Sequence, residues 1–213
     1  MSIYKIRFLG YSIQESQISL IDRVIQFANK SPDEILKKTQ LQRFLGSLNC
    51  VAEFHQNQRK RCKIFFDRLQ DNPTPWTSAH TSIVKEIKQY VKTLPCLCNL
   101  TVNSFKIVET DASYIGHSGI LKQKTTFDQL EQIVRFHSSV WNQAQINYST
   151  IKKKEILSTV LCISKFQDDI LNQKILGRVD CKNAKNVLEK DVSKHCIKTN
   201  FCTMTSYFEH FLF

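Results

Sequence analysis

Three acidic residues stand where predicted strands and a helix could bring their carboxylates together. The first, Asp111, ends the run Phe105–Thr110, whose apolar and β-branched residues predict a central strand. Small residues follow it, a composition typical of turns that approach a ligand closely: Ala112, Ser113, Gly116 and Gly119. An aspartate at the carboxyl end of a strand is a common component of metal and phosphate sites in sheets flanked by helices.

The second acid, Glu155, lies in a predicted helix over Ser149–Phe166. No glycine or proline interrupts this stretch, and either Ser149 or Thr150 could be its N-cap. One face of the helix carries residues spaced at i, i+4, i+7 and i+11, namely Glu155, Thr159, Cys162 and Phe166. The glutamate therefore heads a stripe that would otherwise pack on the sheet.

The third acid, Asp180, ends a second short strand predicted over Lys174–Val179, and Cys181–Lys190 indicates the next helix. Two strand ends and one helix thus each supply one carboxylate. Acids that converge in this way can hold two divalent cations roughly 3.5–4 Å apart, the geometry used to hydrolyse phosphodiesters.

The sequence around these acids resembles a known family. Glu109–Ser113 (ETDAS), Tyr148–Leu157 (YSTIKKKEIL) and Val179–Ala184 (VDCKNA) look like the ribonuclease H domain of reverse transcriptases from long-terminal-repeat retroelements and plant pararetroviruses. The resemblance implies that three carboxylates bind two Mg²⁺ ions and that the domain cuts the RNA strand of an RNA–DNA hybrid. It assigns the ligand and catalytic roles to Asp111, Glu155 and Asp180.

Composition narrows the class of protein and of partner. The 213 residues are 42% hydrophobic, enough for a core, and the net charge of +11 favours a polyanionic partner such as nucleic acid. The eight cysteines come without a signal peptide and without CxxC pairs, which indicates reduced thiols in an intracellular protein, cytoplasmic or nuclear. No apolar run reaches the ~18 residues that a bilayer requires, so we expect no membrane partner.

Residues 1–22 alternate apolar and polar side chains around turn residues, the pattern of a β-hairpin. The stretch Lys5–Gly10 resembles the primer-grip hairpin at the end of a polymerase palm. That resemblance implies nucleic-acid contacts for Phe8, Leu9 and Gly10. An edge hairpin of an unrelated fold is the alternative.

Helices are predicted between Asp22 and Asp71, with Pro32 at the first position of one. Leu41–Asn49 (LQRFLGSLN) closely resembles the thumb of retroelement reverse transcriptases, and Gly46 within it suggests close helix packing. The basic run Arg59, Lys60 and Arg61 either contacts phosphates or forms a solvated surface.

These signals predict an α+β or α/β chain, with a helical thumb-like region followed by an incomplete ribonuclease H-like mixed sheet and flanking helices. A helix over Ser78–Thr93 ends before Pro95, and strands are expected over Gly119–Lys124 and Gln132–Trp141. The expected organisation is a palm-end hairpin (1–22), a thumb and linker (23–98), the ribonuclease H-like domain (99–193) and a non-matching tail (194–213).

Two features limit the enzymatic interpretation. Asp168 and Asp169 imitate a polymerase Asp-Asp motif, but they lie on a helical pattern, so we expect no polymerase site. The family carries a fourth aspartate in the region where residues 194–213 match nothing, which puts its second Mg²⁺ site in question here. The alternatives are therefore an active ribonuclease H and an impaired relict that at most binds nucleic acid through its basic surface. A protein-interaction module has no positive support in the sequence.

Overall fold

The computed structural model describes residues 5–101, 103–125, 130–147, 150–171 and 173–180, together with the backbone of 206–210. Two units divide the chain, Met1–Asn99 and Leu100–Phe213. The first contains a small antiparallel sheet and helices, and the second is built on a larger mixed sheet. The expected α+β class with a mixed sheet and flanking helices is confirmed.

An antiparallel sheet opens the first unit. Its strands in spatial order are β1 (Lys5–Phe8), β2 (Tyr11–Gln14), β3 (Gln17–Leu20) and β4 (Leu97–Cys98). β1 and β2 form the predicted hairpin, in which Phe8 pairs with Tyr11 across a two-residue turn. Leu9 and Gly10 take φ angles of 47° and 91° in that turn, the left-handed backbone that such hairpins require and that glycine adopts without strain.

Helices fill the rest of the first unit. They are α1 (Asp22–Lys30), α2 (Lys38–Asn49), a 3₁₀ turn (Ala52–Phe54), α3 (Gln58–Arg61), α4 (Lys63–Asp67) and α5 (Ser78–Lys92). Apolar residues spaced by three and four on α2 and α5 face one core, which contains Leu41, Phe44, Leu48, Phe65, Val84, Ile87 and Val91. The predicted bounds of α5 are confirmed to within one residue.

The prediction that Pro32 opens a helix is wrong, because α2 begins only at Lys38. In the connection between α1 and α2, Ile35 is 1% exposed and Asp33 forms an ion pair of 2.6 Å with Lys88 of α5. Tertiary burial of Ile35 and this long-range pair hold the segment, and local helix signals do not report either of them.

The close packing expected at Gly46 is also wrong. Gly46 lies on the exposed side of α2, and among the described residues an added Cβ would meet no atom within 4 Å. The opposite side of the helix does the packing through Leu41, Phe44, Leu45 and Leu48.

A five-stranded mixed sheet forms the second unit. Its strands are β5 (Phe105–Ala112), β6 (Gly116–Lys124), β7 (Gln132–Val140), β8 (Ile175–Val179) and β9 (Ser206–His210). The spatial order is β7-β6-β5-β8-β9. β6 pairs antiparallel with both β7 and β5, whereas β8 pairs parallel with both β5 and β9. The helices of this unit are α6 (Gln143–Ile146), α7 (Ile151–Lys165) and α8 (Gln167–Ile170).

The predicted buried stripe of α7 is confirmed. Thr159, Cys162 and Phe166 are at most 1% exposed, and they face a core that includes Val108 of β5. Thr150 is the N-cap, with its hydroxyl accepting from the Lys153 amide at 3.4 Å. The helix can come close to β6 because Gly119 has no side chain. A Cβ at that position would lie 2.7 Å from Cys162 Sγ.

Strand β9 lies within residues 194–213, where the sequence predicts no element of the domain. Its pairing runs parallel to β8, from Ile175 opposite Ser206 to Val179 opposite His210. Strand pairing is made by backbone hydrogen bonds, so the side chains of β9 need not resemble those of the family for this strand to form. The helix predicted over Cys181–Lys190 lies outside the described residues.

Two glycines should respond to alanine with opposite signs. A Cβ on Gly116 would lie 2.0 Å from the backbone oxygen of Ser139, so Gly116→Ala should lower the free energy of unfolding by at least about 1–3 kcal/mol. Gly46→Ala should raise it by about 0.5–1 kcal/mol, because alanine costs less backbone entropy in a helix. Urea titrations of both variants measure this. A stable Gly116→Ala variant would contradict the register of β6 and β7.

Acid should weaken the first unit through His55. This side chain is 0% exposed, its ring lies 4.0 Å from that of Tyr90, and its Nε2 has no hydrogen-bond partner among the described residues. Burial lowers the pKa of His55 below its ordinary value, and the charge of Arg61 acts in the same direction. The stability conferred by the neutral ring is therefore fully present above about pH 6.5, the unfolded pKa, and is lost as the pH falls towards the folded value.

Thermal unfolding between pH 7.5 and pH 5 should show this loss. His55→Asn keeps a nitrogen near the Nδ1 that contacts the Gln56 carbonyl at 2.7 Å, and it should flatten the pH dependence. The slope that remains should come in part from His80, whose pKa burial also lowers. Equal slopes for the variant and the parent would show that the His55 ring takes up its proton without cost.

Candidate active site

Asp111 occupies the next-to-last position of β5, at the carboxyl end of this central strand. Its side chain is exposed, whereas those of Thr110 and Ala112 on either side are buried. Ser118 lies opposite on β6, and its hydroxyl donates to Asp111 Oδ2 at 3.4 Å. The strand alternation thus turns the carboxylate towards solvent and leaves Ser118 to orient it.

Asp180 follows directly after β8 and is exposed as well. The parallel register of β5 and β8 ends with Thr110 opposite Val179, and the residue that follows each of these two is an aspartate. Neighbouring strands lie about 4.8 Å apart, and both carboxylates therefore leave the sheet at the same edge. The register places Asp111 and Asp180 at neighbouring positions, and their joint role as ligands stays a prediction.

Helix α7 carries Glu155 towards this edge through hydrogen bonds one turn further along the helix. Ser158 Oγ donates to the Asp111 carbonyl at 3.1 Å, and Thr159 Oγ1 lies 3.0 Å from Thr110 Oγ1. Thr159 Oγ1 also donates to the Glu155 carbonyl at 3.0 Å. Glu155 itself is 5% exposed.

The three acids do not form a complete ligand set in this conformation. Among the residues described by the structure, no group of three or more His, Cys, Asp and Glu side chains could hold a metal ion. The oxygen donors of Asp111 and Asp180 are of the type that Mg²⁺ prefers, and they share one solvent-facing edge. The donor chemistry fits the ion, and the roles of all three acids stay predictions.

An ion network that the sequence did not single out lies beside this pair of aspartates. Glu109 Oε1 contacts Lys122 Nζ at 2.7 Å and Arg178 Nη1 at 2.8 Å, while Glu131 Oε1 contacts Arg178 Nη2 at 2.7 Å. Hydrogen bonds from Arg178 lower the pKa of Glu131 to about 2. Glu109 and Arg178 each lie two residues before an aspartate of the proposed site. Since residues i and i+2 of a strand share one face, this spacing was the sequence signal that they lie near the aspartates.

The predicted nucleic-acid residues of the first unit are accessible. Phe8 and Leu9 are 62% and 80% exposed at the hairpin tip beside Gly10. In the basic run on α3, Arg59 and Arg61 are exposed and Lys60 is half-buried.

Arginines of this unit lie over aromatic rings, which the sequence did not predict. The guanidinium of Arg59 is 5.5 Å from the centroid of Phe66, and that of Arg61 is 5.7 Å from Tyr90. Arg68, which was not singled out, lies 5.3 Å from the ring of Trp76. Stacking restricts these long side chains and keeps their charges in place.

The Asp168-Asp169 pair lies on the single helical turn α8, and Asp169 forms an ion pair with Arg135 of β7. The expectation that this pair is not on a polymerase hairpin is therefore confirmed. Helices long and apolar enough to cross a bilayer do not occur in the part of the chain that the structure describes.

Known proteins match both the sequence and the fold. Residues 76–176 match the family described as the RNase H-like domain found in reverse transcriptase. The enzymatic polyprotein of Carnation etched ring virus is 31% identical over 180 residues, which cover 84% of this chain and 27% of the polyprotein. That of Cestrum yellow leaf curling virus is 28% identical over 207 residues, covering 92% of this chain and 31% of the polyprotein.

Solved structures agree in fold. The foamy viral protease-reverse transcriptase in complex with double-stranded DNA superposes with a TM-score of 0.76 at 19% identity, covering 98% of this chain and 45% of that one. The same viral protein in complex with an RNA/DNA hybrid gives a TM-score of 0.74 at 19% identity, covering 98% and 30%.

The chain spans about a quarter to a third of the viral polyproteins that it matches. Residues 76–176 therefore match the RNase H-like domain found in reverse transcriptases, and the chain is similar to part of the enzymatic polyproteins of plant viruses.

Proposed function

We propose that the second unit hydrolyses the RNA strand of an RNA–DNA hybrid with the help of Mg²⁺. The observation that carries the proposal is the placement of Asp111 and Asp180 at the carboxyl ends of two parallel neighbouring strands. Two exposed carboxylates at that spacing suit a hard cation and a phosphate together. The family match over residues 76–176 and the relatives' description as enzymatic polyproteins support the same activity.

The proposed ligands are Asp111, Asp180 and Glu155. When bound, Mg²⁺ would supply charge stabilisation at the scissile phosphate and a more acidic water. Asp111 and Asp180 would hold the ion through their carboxylate oxygens, and Ser118 orients Asp111 by its hydrogen bond. Helix α7 keeps Glu155 next to the end of β5 through Ser158 and its bond to the Asp111 carbonyl.

The chain's positive charge supports a nucleic-acid partner. A net charge of +11 attracts phosphates at long range, and the stacked arginines of the first unit offer ordered guanidinium groups for them. Phe8, Leu9 and Gly10 at the hairpin tip, with Arg59, Lys60 and Arg61, are the proposed contacts of that unit. We further propose that residues 1–22 and 23–98 derive from a polymerase palm end and thumb, and that the nuclease domain begins at residue 99.

Asp111→Asn should abolish cleavage. The amide keeps the size of the side chain but removes the negative charge, so we expect the rate on a hybrid with labelled RNA and Mg²⁺ to fall at least ~100-fold, equivalent to about 2.7 kcal/mol. Asp180→Asn should behave in the same way. Asp168→Asn is the matched control, because this exposed aspartate lies on α8, outside the proposed site, and it should leave the rate unchanged.

A parent protein that binds the hybrid but does not cut it would favour the alternative, a relict that only binds. Cleavage that survives Asp111→Asn would remove the assignment of the site.

Metal binding can be measured without cleavage. Mn²⁺ added to the parent protein should raise its melting temperature, because an ion that binds only the folded state stabilises that state. The shift should disappear in Asp111→Asn and persist in Asp168→Asn. An equal shift in all three proteins would place the ion elsewhere.

A further inference from the structure

The turn between β5 and β6 presents an aromatic side chain at the same edge as the aspartates. Tyr114 is 85% exposed, and it follows Asp111 by three residues. A single exposed aromatic is ordinary on a protein surface. Tyr114 differs because its turn is fixed on both sides and a cation lies beside its ring.

Trp141 holds the turn from below. This side chain is 4% exposed, and its Nε1 donates to the Ser113 carbonyl at 2.7 Å. The Trp141 backbone amide donates to the Ile115 carbonyl at 3.0 Å, so both neighbours of Tyr114 are bound to the same residue. The Ser113 amide closes the turn by donating to the Gly116 carbonyl at 2.9 Å. Little backbone entropy would be lost when Tyr114 meets a ligand.

Lys154 supplies the cation. Its Nζ lies 5.5 Å from the centroid of the Tyr114 ring, within the range of a cation–π contact. Lys154 stands directly before Glu155 on α7, and Tyr114 lies in the turn that follows β5, the strand of Asp111. Lys154 is only 6% exposed, so its buried side chain acts on the Tyr114 ring beside it.

We propose that Tyr114 and Lys154 form a strand-positioning pair for one strand of the hybrid. The exposed ring packs against a sugar, and the buried ammonium of Lys154 holds the ring and adds positive charge near the adjoining phosphate. Three residues span at most about 11 Å, and nucleotides advance about 3.4 Å along the axis, so the contact falls within about three nucleotides of the cut. The proposal rests on the proposed function for the identity of its ligand.

The test measures binding of a labelled RNA–DNA hybrid by fluorescence anisotropy in EDTA, which prevents Mg²⁺-dependent cleavage. Tyr114→Ala should raise Kd at least ~5-fold, the lower end for losing an aromatic contact with a nucleotide. Tyr114→Phe keeps the ring and should stay within about twofold of the parent. Lys154→Met should also raise Kd and reduce the slope of log K against log salt, because the ring loses its cation partner and the site loses one positive charge.

Controls come from the same unit. Leu130→Ala removes a side chain that is 90% exposed, and Lys165→Met removes a charge in the last turn of α7; neither should change Kd or the salt slope. Melting temperatures of all variants check that each is folded. Normal binding by Tyr114→Ala would overturn the proposal. Equal weakening by Tyr114→Phe would also overturn it, because the hydroxyl and not the ring face would then make the contact.

The binding readout separates this inference from the nuclease assignment. If binding depends on Tyr114 and Lys154 while no Mg²⁺-dependent cleavage occurs, the proposed function fails and the positioning pair stands. If cleavage depends on Asp111 while Tyr114→Ala binds and cuts normally, the pair fails and the function stands. Where both hold, Tyr114→Ala should raise KM more than it lowers kcat, and it should shift the position of the cut.

Discussion

The parallel pairing of β5 with β8 is the constraint on which the candidate site depends. An aspartate lies at the carboxyl end of each strand, and the register that sets Thr110 opposite Val179 places Asp111 and Asp180 at neighbouring positions. A slip of one residue would move one carboxylate along the strand and turn it to the other face. Because parallel strands need a long connection, this register depends on everything that lies between β5 and β8, above all on α7.

Helix α7 is held on the sheet by small and hydroxyl-bearing residues. Gly119 leaves room for Cys162, and the contact of Thr159 with Thr110 provides a polar link within an otherwise apolar interface. The bond from Ser158 reaches the backbone of Asp111 itself, so the position of the helix and that of the aspartate are coupled. This arrangement also sets the position of Glu155, because Glu155 lies one turn before Thr159 on the same face of α7.

Charge is distributed unevenly around the aspartates. Glu109 and Glu131 are held by Lys122 and Arg178, and their negative charges are therefore compensated within the sheet. Asp111 and Asp180 are exposed at the carboxyl ends of β5 and β8, where the metal site is proposed. Carboxylate oxygens are donors that suit a hard divalent cation.

The sequence by itself determined the local elements and the chemistry that they carry. Apolar spacing predicted α5 and α7, strand composition predicted β5 and β8, and the acids at their ends were visible as residues. These features depend on neighbours within a few positions, which the chain order supplies directly. Pro32 and Gly46 show the limit of such signals. Next to Pro32, Asp33 pairs with the distant Lys88, and among the described residues a Cβ on Gly46 would have no neighbour within 4 Å.

Only the tertiary structure decided what meets across the chain. The strand β9, the ion network around Arg178, the stacking of Arg61 on Tyr90 and the turn of Tyr114 held by Trp141 all join residues far apart in sequence. The side chains at those positions are compatible with many surroundings, and burial, register and charge pairing selected one. Contacts of this kind follow from the packing of whole elements, which no local pattern encodes.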